Sequence, residues 1–342
     1  MKKFGAAYRA LYSAEGLFSI AGCPPIDSIY IWTDLDQRTK ATGTALLEGL
    51  APGCGLKPRD AEATIDPLFH ALPSLGKADS AQASASLAGS IGAAPQAIVP
   101  AYALAFKRLD QILVCETGAC RRISQVPSTV AASQKTGLVE VQGAVDLAST
   151  AVEDFILAYA DGRPIADVGW GAVDRATLLQ LSQLHVLKFL LNTQTPYPAR
   201  VQGSNLLSHI SATLDQGAAN RPNVGTRVPI GARLVAFIGH DTNLAELAGM
   251  LRLGWLLPGY QIDDSPPGVA LVFELRRSSP SATPFVRVFF TAQSLDQIRN
   301  LSSESQQRVP VFVPVCPQLD GPLDVFDRVL HVAIDSAFVG TW

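Results

Sequence analysis

The stretch "LVAFIGHDTNLAELAG", Leu234 to Gly249, constrains the fold more than any other part of the chain. Val235, Ala236, Phe237 and Ile238 form a short continuous apolar run, which suits a strand buried on both faces of a parallel sheet. A Gly-His-Asp triplet follows, and then Leu244, Leu247 and Leu251 repeat at helical spacing, with Thr242 or Asn243 available as the cap. His240 and Asp241 are therefore expected at the carboxyl end of a strand, just before a helix N-terminus. Open α/β sheets bind ligands there. A second unit of the same kind is "SIYIWTDLDQRTKATGTALLEGLA", Ser28 to Ala51. Its apolar Ile29 to Trp32 leads into Asp34, Asp36, Arg38 and Lys40, and a helix then runs through Leu46 and Leu47.

Two such units predict an α/β sheet with polar groups gathered at one edge. Between them the pattern changes. "KADSAQASASLAGSIGAAPQ", Lys77 to Gln96, is rich in small residues and reads as a junction. Helical spacing follows at Tyr102, Phe106, Leu109 and Leu113 and again over Ala176 to Leu191, and "DQGAANRPNVGTRVPIGAR", Asp215 to Arg233, reads as the return junction. Strands are expected at Val269 to Leu275 and Phe285 to Phe290, and a closing helix at Asp324 to Ile334. The expected division is a discontinuous α/β domain, 1–76 plus 224–342, with an inserted α-helical cap domain, 77–223.

Only 17% of the 342 residues are charged, and the net charge is −3. No basic stretch suggests nucleic-acid binding, and no apolar run approaches the roughly 18 residues of a membrane span. Lys2, Lys3 and "IAGC" imitate parts of an export signal, but Arg9 and Glu15 interrupt what would be its apolar region. The chain therefore shows no credible signal peptide, and "FGAAYRALYSAEGL" is expected as an amphipathic helix. The five cysteines form no metal-binding pattern. They are either unrelated buried thiols or two disulfides with Cys316 left over, and the second reading requires an oxidising compartment.

Arg38 falls in the first turn of its helix, where a cation opposes the macrodipole. A bound anion resolves that conflict, since a guanidinium fork and free backbone N–H groups both suit phosphate oxygens. A structural ion pair with Asp34 or Asp36 resolves it equally well. His240 and Asp241 together fit a division of labour in which imidazole contacts an anion and the acid protonates a leaving oxygen.

"GHDTNLAELAGMLRLGWLLPGYQIDDSPPGVALVFELRR" resembles the C-terminal signature of the histidine acid phosphatases, especially the bacterial phytase and glucose-1-phosphatase group. "TDLDQRTKATGTALLEGLAPGC" is similar to that group's Asp-x-Asp-x-Arg-Thr segment, and "VQGAVDLAST" and "VGWGAVDRATLLQLSQLHVLKFLLNTQTP" resemble further segments in the same order. The resemblance implies a histidine-phosphatase-like sheet domain with helices on both faces and an inserted, mostly helical domain. It implies hydrolysis of phosphate monoesters, inositol phosphates in preference to sugar phosphates, by a monomer that needs neither cofactor nor metal. By the same resemblance Arg38 clamps phosphate, His240 binds it and Asp241 donates the proton, while Asp34, Thr242 and Glu153 contact substrate. Cys23 with Cys54 and Cys115 with Cys120 match family disulfides, and the complete protein is expected to be periplasmic or secreted.

The family's nucleophile lies in an Arg-His-Gly-x-Arg-x-Pro motif, which none of the five histidines here matches. The first residues align with a helix that follows that motif in family members, so the expectation is an N-terminally truncated phosphatase, inactive as written. The motif's segment includes a strand inside the family's sheet, so its absence is expected to leave strand edges unpaired. A non-catalytic phosphate-ligand binder on the same scaffold is the alternative. A nucleotide-dependent oxidoreductase or kinase finds no Gly-rich phosphate loop to support it.

Overall fold

The computed structural model describes residues 1–342 apart from 20, 72–74, 93, 114–121, 134–136, 280, 303, 305 and 341–342. Helix α1 (Lys2–Ala14) precedes strand β1 (Ile29–Thr33) and helix α2 (Gln37–Leu50). The middle of the chain is helical: α3 (Ser80–Ile91), α4 (Ile98–Ala101), α5 (Ala103–Ile112), α6 (Ala144–Ala160), α7 (Arg175–Asn192) and α8 (Pro196–Ala219). A small antiparallel hairpin, β2 (Thr129–Ala132) with β3 (Val139–Gln142), interrupts them. Strand β4 (Leu234–Ile238) and helix α9 (Asp241–Leu251) follow. The chain then continues through β5 (Ala270–Arg276), β6 (Phe285–Ala292), α10 (Leu295–Arg299), β7 (Gln307–Val311), β8 (Asp320–Pro322) and α11 (Leu323–Ala333).

The two strand-to-helix units meet as expected. β1 and β4 pair in parallel, from Ile29 opposite Leu234 to Thr33 opposite Ile238, so both polar segments emerge at the same sheet edge. A separate antiparallel sheet runs in the order β5-β6-β7, with β8 also on β6. A large core joins the helices to this sheet, and Phe106, Leu109, Leu178, Leu181, Phe290 and Phe326 are fully buried in it. No single helix among the described residues is long and apolar enough to cross a membrane.

Three expectations are corrected. Lys77 to Gln96 is not an irregular junction, because α3 occupies most of it. Asp79 caps that helix by accepting the N–H groups of Ala81 and Gln82, and Gly92 ends it in the left-handed region at φ 61°. Alanine's high helix propensity outweighs the lack of large apolar side chains. The return junction likewise starts late, because α8 continues through Ala219 to a left-handed Asn220. The third correction concerns β4, which is half-buried along its whole length, whereas β1 is buried throughout. A side of β4 expected to be covered is open.

Helices α1 and α2 pack closely through two glycines. A Cβ on Gly49 would lie 2.0 Å from the Lys2 carbonyl oxygen, and one on Gly5 would lie 2.2 Å from that of Leu46. Backbone cannot retreat as a flexible side chain does, so any side chain here pushes the helices apart. Gly49→Ala is expected to destabilise the protein by about 1–3 kcal/mol, the usual range for overpacking. An unchanged urea midpoint in equilibrium unfolding would contradict this packing.

Candidate active site

The site forms where β1 and β4 end together. The Asp34 N–H donates to the Ile238 carbonyl at 2.9 Å, which closes the parallel pair. Thr39 Oγ1 donates to the carbonyls of Asp34 and Asp36, at 2.8 and 2.7 Å, and so fixes the loop between β1 and α2. The Asp34 side chain is 2% exposed. Its Oδ1 accepts the Leu35 N–H at 2.8 Å, while its Oδ2 faces His240 Nε2 at 2.6 Å and His70 Nε2 at 2.8 Å. Burial pushes this carboxyl's pKa up, but the Leu35 amide and the two imidazoles outweigh it and hold the group below the usual aspartate value.

Arg38 reaches the same cluster from the first turn of α2. One guanidinium nitrogen lies 2.7 Å from Asp36 Oδ2 and 3.0 Å from His240 Nδ1. The pairing with Asp36 weighed at the sequence level is thus present, together with the convergence on His240. Arginine is only a donor, so Nδ1 must accept and the proton of neutral His240 sits on Nε2, facing Asp34. Asp34, His70 and His240 are metal-ligating types with donor atoms within 4.8 Å of one another. That tautomer makes His240 Nε2 a hydrogen-bond donor, and a metal would have to strip its proton and displace Arg38.

His240, rather than Thr242 or Asn243, is the N-cap, and α9 begins at Asp241. Asn243 instead anchors the turn: its Oδ1 accepts the His240 N–H at 3.0 Å, and its Nδ2 donates to the Phe69 carbonyl at 2.9 Å and Glu246 Oε2 at 3.1 Å. Only glycine fits at 239, where a Cβ would lie 2.5 Å from Asn243 Oδ1 and 2.6 Å from the Phe69 ring.

The cluster opens onto a cavity of about 980 Å³. Arg38, His240 and Asp241 line it from the sheet edge, and Glu153 on α6 and His185 on α7 line it from the helical side. Asp241 accepts the Thr242 N–H at 2.8 Å, whereas Thr242 is exposed and outside the lining. His185 is buried, with Nδ1 3.0 Å from Ser149 Oγ. Burial lowers its pKa against the opposing pull of Asp241 and Glu153.

Cys23 and Cys54 are disulfide-bonded and tie the segment before β1 to the end of α2. Cys115 and Cys120 lie outside the described residues. Cys316 is free and buried.

The sequence reading missed His70 and His185. His70 had a local signal in the "DPLFH" that precedes it: Asp66 accepts the Leu68 and His70 N–H groups and the Trp32 indole N–H, folding a turn that presents the imidazole. His185 had none, because the mixture of leucines and polar residues along α7 does not tell a cavity-facing position from a core one.

The sequence pattern of the histidine phosphatase superfamily (branch 2) matches residues 1–291. The chain belongs to this family. It is 33% identical to the phytase AppA of Escherichia coli over 312 residues, which cover 87% of this chain and 71% of that protein. It is 27% identical to a glucose-1-phosphatase of Salmonella typhimurium, over 94% of this chain and 78% of that protein. Among solved structures, Hafnia alvei phytase in complex with tartrate superimposes with a TM-score of 0.90 at 31% identity, covering 99% of this chain and 87% of that one. The same phytase in complex with myo-inositol hexakis sulphate gives 0.88 at 30% identity, over 99% and 86%. The expected α/β phosphatase fold is therefore the observed one.

Beneath this cluster lies a buried carboxyl. Burial raises the pKa of Glu246 to about 8, against the lowering effect of Asn243, so the folded state keeps it protonated where the unfolded chain ionises. A raised folded value means that this group's stabilising contribution is complete below about pH 4.5 and is lost as pH climbs through about 8. Between pH 5 and 8 the wild-type Tm should therefore fall more steeply than that of Glu246→Gln. Parallel Tm profiles for the two proteins would refute a protonated Glu246.

Proposed function

We propose that the cavity is the phosphate-binding and acid-donating part of a phosphomonoester hydrolase site. The observation that carries this reading is Arg38 converging with His240, backed by buried Asp34, at the N-terminus of α9. In this reading Arg38 and His240 hold the phosphoryl oxygens, with help from the α9 backbone amides. Asp241 faces the same cavity and protonates the leaving alcohol. Asp34 orients His240 and fixes its tautomer, and Glu153 contacts the substrate's far side. Thr242 contacts substrate through its hydroxyl only if bound ligand extends beyond the cavity rim.

The substrate class is a phosphate monoester, with inositol phosphates preferred to glucose 1-phosphate. Support comes from the greater identity to the E. coli phytase and from the inositol hexakis sulphate bound to the Hafnia enzyme, whose sulphates share the tetrahedral geometry of phosphates. The protein is read as a monomer of the periplasm or cell exterior, where the Cys23–Cys54 disulfide persists. The division into 1–76 plus 224–342 and an inserted 77–223 is retained as part of this proposal.

Turnover through a phosphohistidine needs a nucleophile, and no histidine in the 342 residues has the family's Arg-His-Gly flanks. The 342-residue polypeptide is thus proposed to bind ligand without turning it over, and a dedicated phosphate-ligand binder is the second reading, favoured by the Arg38–His240–Asp34 cluster.

Two measurements test this. Calorimetric titration with myo-inositol hexakisphosphate should detect binding that Arg38→Ala or His240→Ala weakens at least tenfold, about 1.4 kcal/mol. Unchanged affinity in both variants would remove the phosphate assignment. Rapid-quench assays with p-nitrophenyl phosphate should show no burst of alcohol from the 342-residue chain. A burst that Asp241→Asn abolishes would require a nucleophile elsewhere in the chain and would overturn the inactive reading.

A further inference from the structure

His70 shares the Asp34 carboxylate with His240 but differs from it in exposure. Its side chain is 47% exposed, against 12% for His240 and 2% for Asp34. Asp34 is satisfied without it, since Oδ1 accepts the Leu35 N–H and Oδ2 accepts from His240 Nε2. A second imidazole on the same oxygen, at 2.8 Å, is more than the buried carboxylate requires. The turn that carries His70 is pinned from three sides. Asp66 accepts the indole N–H of Trp32 on β1 at 2.6 Å, Asn205 on α8 donates to the Pro67 carbonyl at 2.7 Å, and Asn243 on α9 donates to the Phe69 carbonyl at 2.9 Å. A half-exposed imidazole on so fixed a backbone is preorganised to meet a ligand.

The two imidazoles differ in how they can take up charge. His240 Nδ1 accepts from Arg38, so a proton there breaks that contact. His70 faces ionised Asp34 through Nε2, which places the proton of the neutral ring on that nitrogen. Its Nδ1 has no hydrogen-bond partner among the described residues. A second proton on Nδ1 therefore costs no existing contact. The charged and titratable groups around His70 are Asp34 at the end of β1, Asp36 and Arg38 at the start of α2, Asp66 in its own turn, and His240 with Asp241 at the start of α9. Arg38 and Asp36 pair with each other, and Asp66 is occupied by amide and indole donors. Asp34 is thus the counter-ion of a charged His70. The ring lies 5.8 Å from that of His240, centroid to centroid, at the edge where Arg38 also stands.

We propose that His70 is a further ligand-binding residue of this site: protonated on both nitrogens, it donates Nε2–H to Asp34 and Nδ1–H to an anionic oxygen of the ligand, beside Arg38 and His240. The inference deepens the phosphate reading and rests on it. It also makes ligand binding acid-dependent, because imidazole is the side chain whose charge ordinarily changes between about pH 5 and 8. Lower pH adds a cation to an edge that holds several carboxylates, so an anionic ligand is held more tightly as pH falls. A hydrogen bond from a charged donor is also stronger than one from the neutral ring.

The probe is myo-inositol hexakis sulphate, whose sulphate esters keep their charge where phosphates titrate. Calorimetric titration onto the 342-residue chain should give an affinity about tenfold or more higher at pH 5 than at pH 8. In His70→Gln, which keeps a donor for Asp34 and cannot charge, that ratio should shrink about fivefold or more, and the permanent cation of His70→Lys should restore tight binding at pH 8. Histidine 15N spectra of the wild-type protein supply a readout that needs no variant to fold. The fraction of His70 protonated on both nitrogens should rise when the probe saturates the site. An equal pH ratio in wild type and His70→Gln, or a His70 ring whose protonation the probe leaves unchanged, would overturn the proposal. Should Arg38→Ala still weaken binding in that case, the phosphate reading stands without His70. Absence of any binding to the wild-type chain would remove the phosphate reading and this inference with it.

Discussion

The site depends on one buried carboxylate. Asp34 closes the β1–β4 pair through its backbone, and through its side chain it gathers two imidazoles from segments distant in sequence. A buried anion is tolerated only when its lone pairs are used, and here an amide and two ring nitrogens use them. The consequence passes outward: Asp34 sets the His240 tautomer, the tautomer makes Nδ1 an acceptor, and Arg38 is held there at 3.0 Å. A cation in the first turn of α2 would be unfavourable alone. Asp36 and His240 make it a stable part of the edge.

The electrostatics of this edge are unbalanced. Asp34, Asp36, Asp241 and Glu153 surround or face the cavity, against one arginine and imidazoles that carry charge only when protonated. In the proposed reading these groups are the acid and positioning residues of the site, and Arg38 is the guanidinium that meets the phosphate. The half-buried β4 ends at this same edge, where its last residue, Ile238, accepts the Asp34 N–H.

The elements around β4 and β5 are braced independently. The Gly5–Gly49 contact locks α1 onto α2, and the Cys23–Cys54 disulfide ties the loop beside them. Tyr12, Arg276 and Arg308 converge on Glu274 and fix α1 to the second sheet. Burial and the neighbouring Glu274 carboxylate push the Tyr12 hydroxyl pKa well above its usual value, so it remains a donor at any ordinary pH. The main core secures the other face through α8 and α9.

Much of this was legible in the sequence, because strand-to-helix units are local. Ile29–Trp32 and Val235–Ile238 announced two parallel strands, and the positions of Asp34, Arg38, His240 and Asp241 at their ends followed from residue order alone. Local pattern also misled: the small residues of 77–96 concealed a capped helix, and an apolar run at 235–238 implied burial that β4 only half attains. What sequence could not give was proximity across long separations. His70, 36 residues from Asp34, and His185 on a different helix enter the site only because the helices pack as they do. The contact of His240 Nδ1 with the Arg38 guanidinium likewise spans 202 residues. Strand ends are fixed by short-range periodicity, whereas the sharing of one carboxylate by two imidazoles arises only when distant segments are brought together.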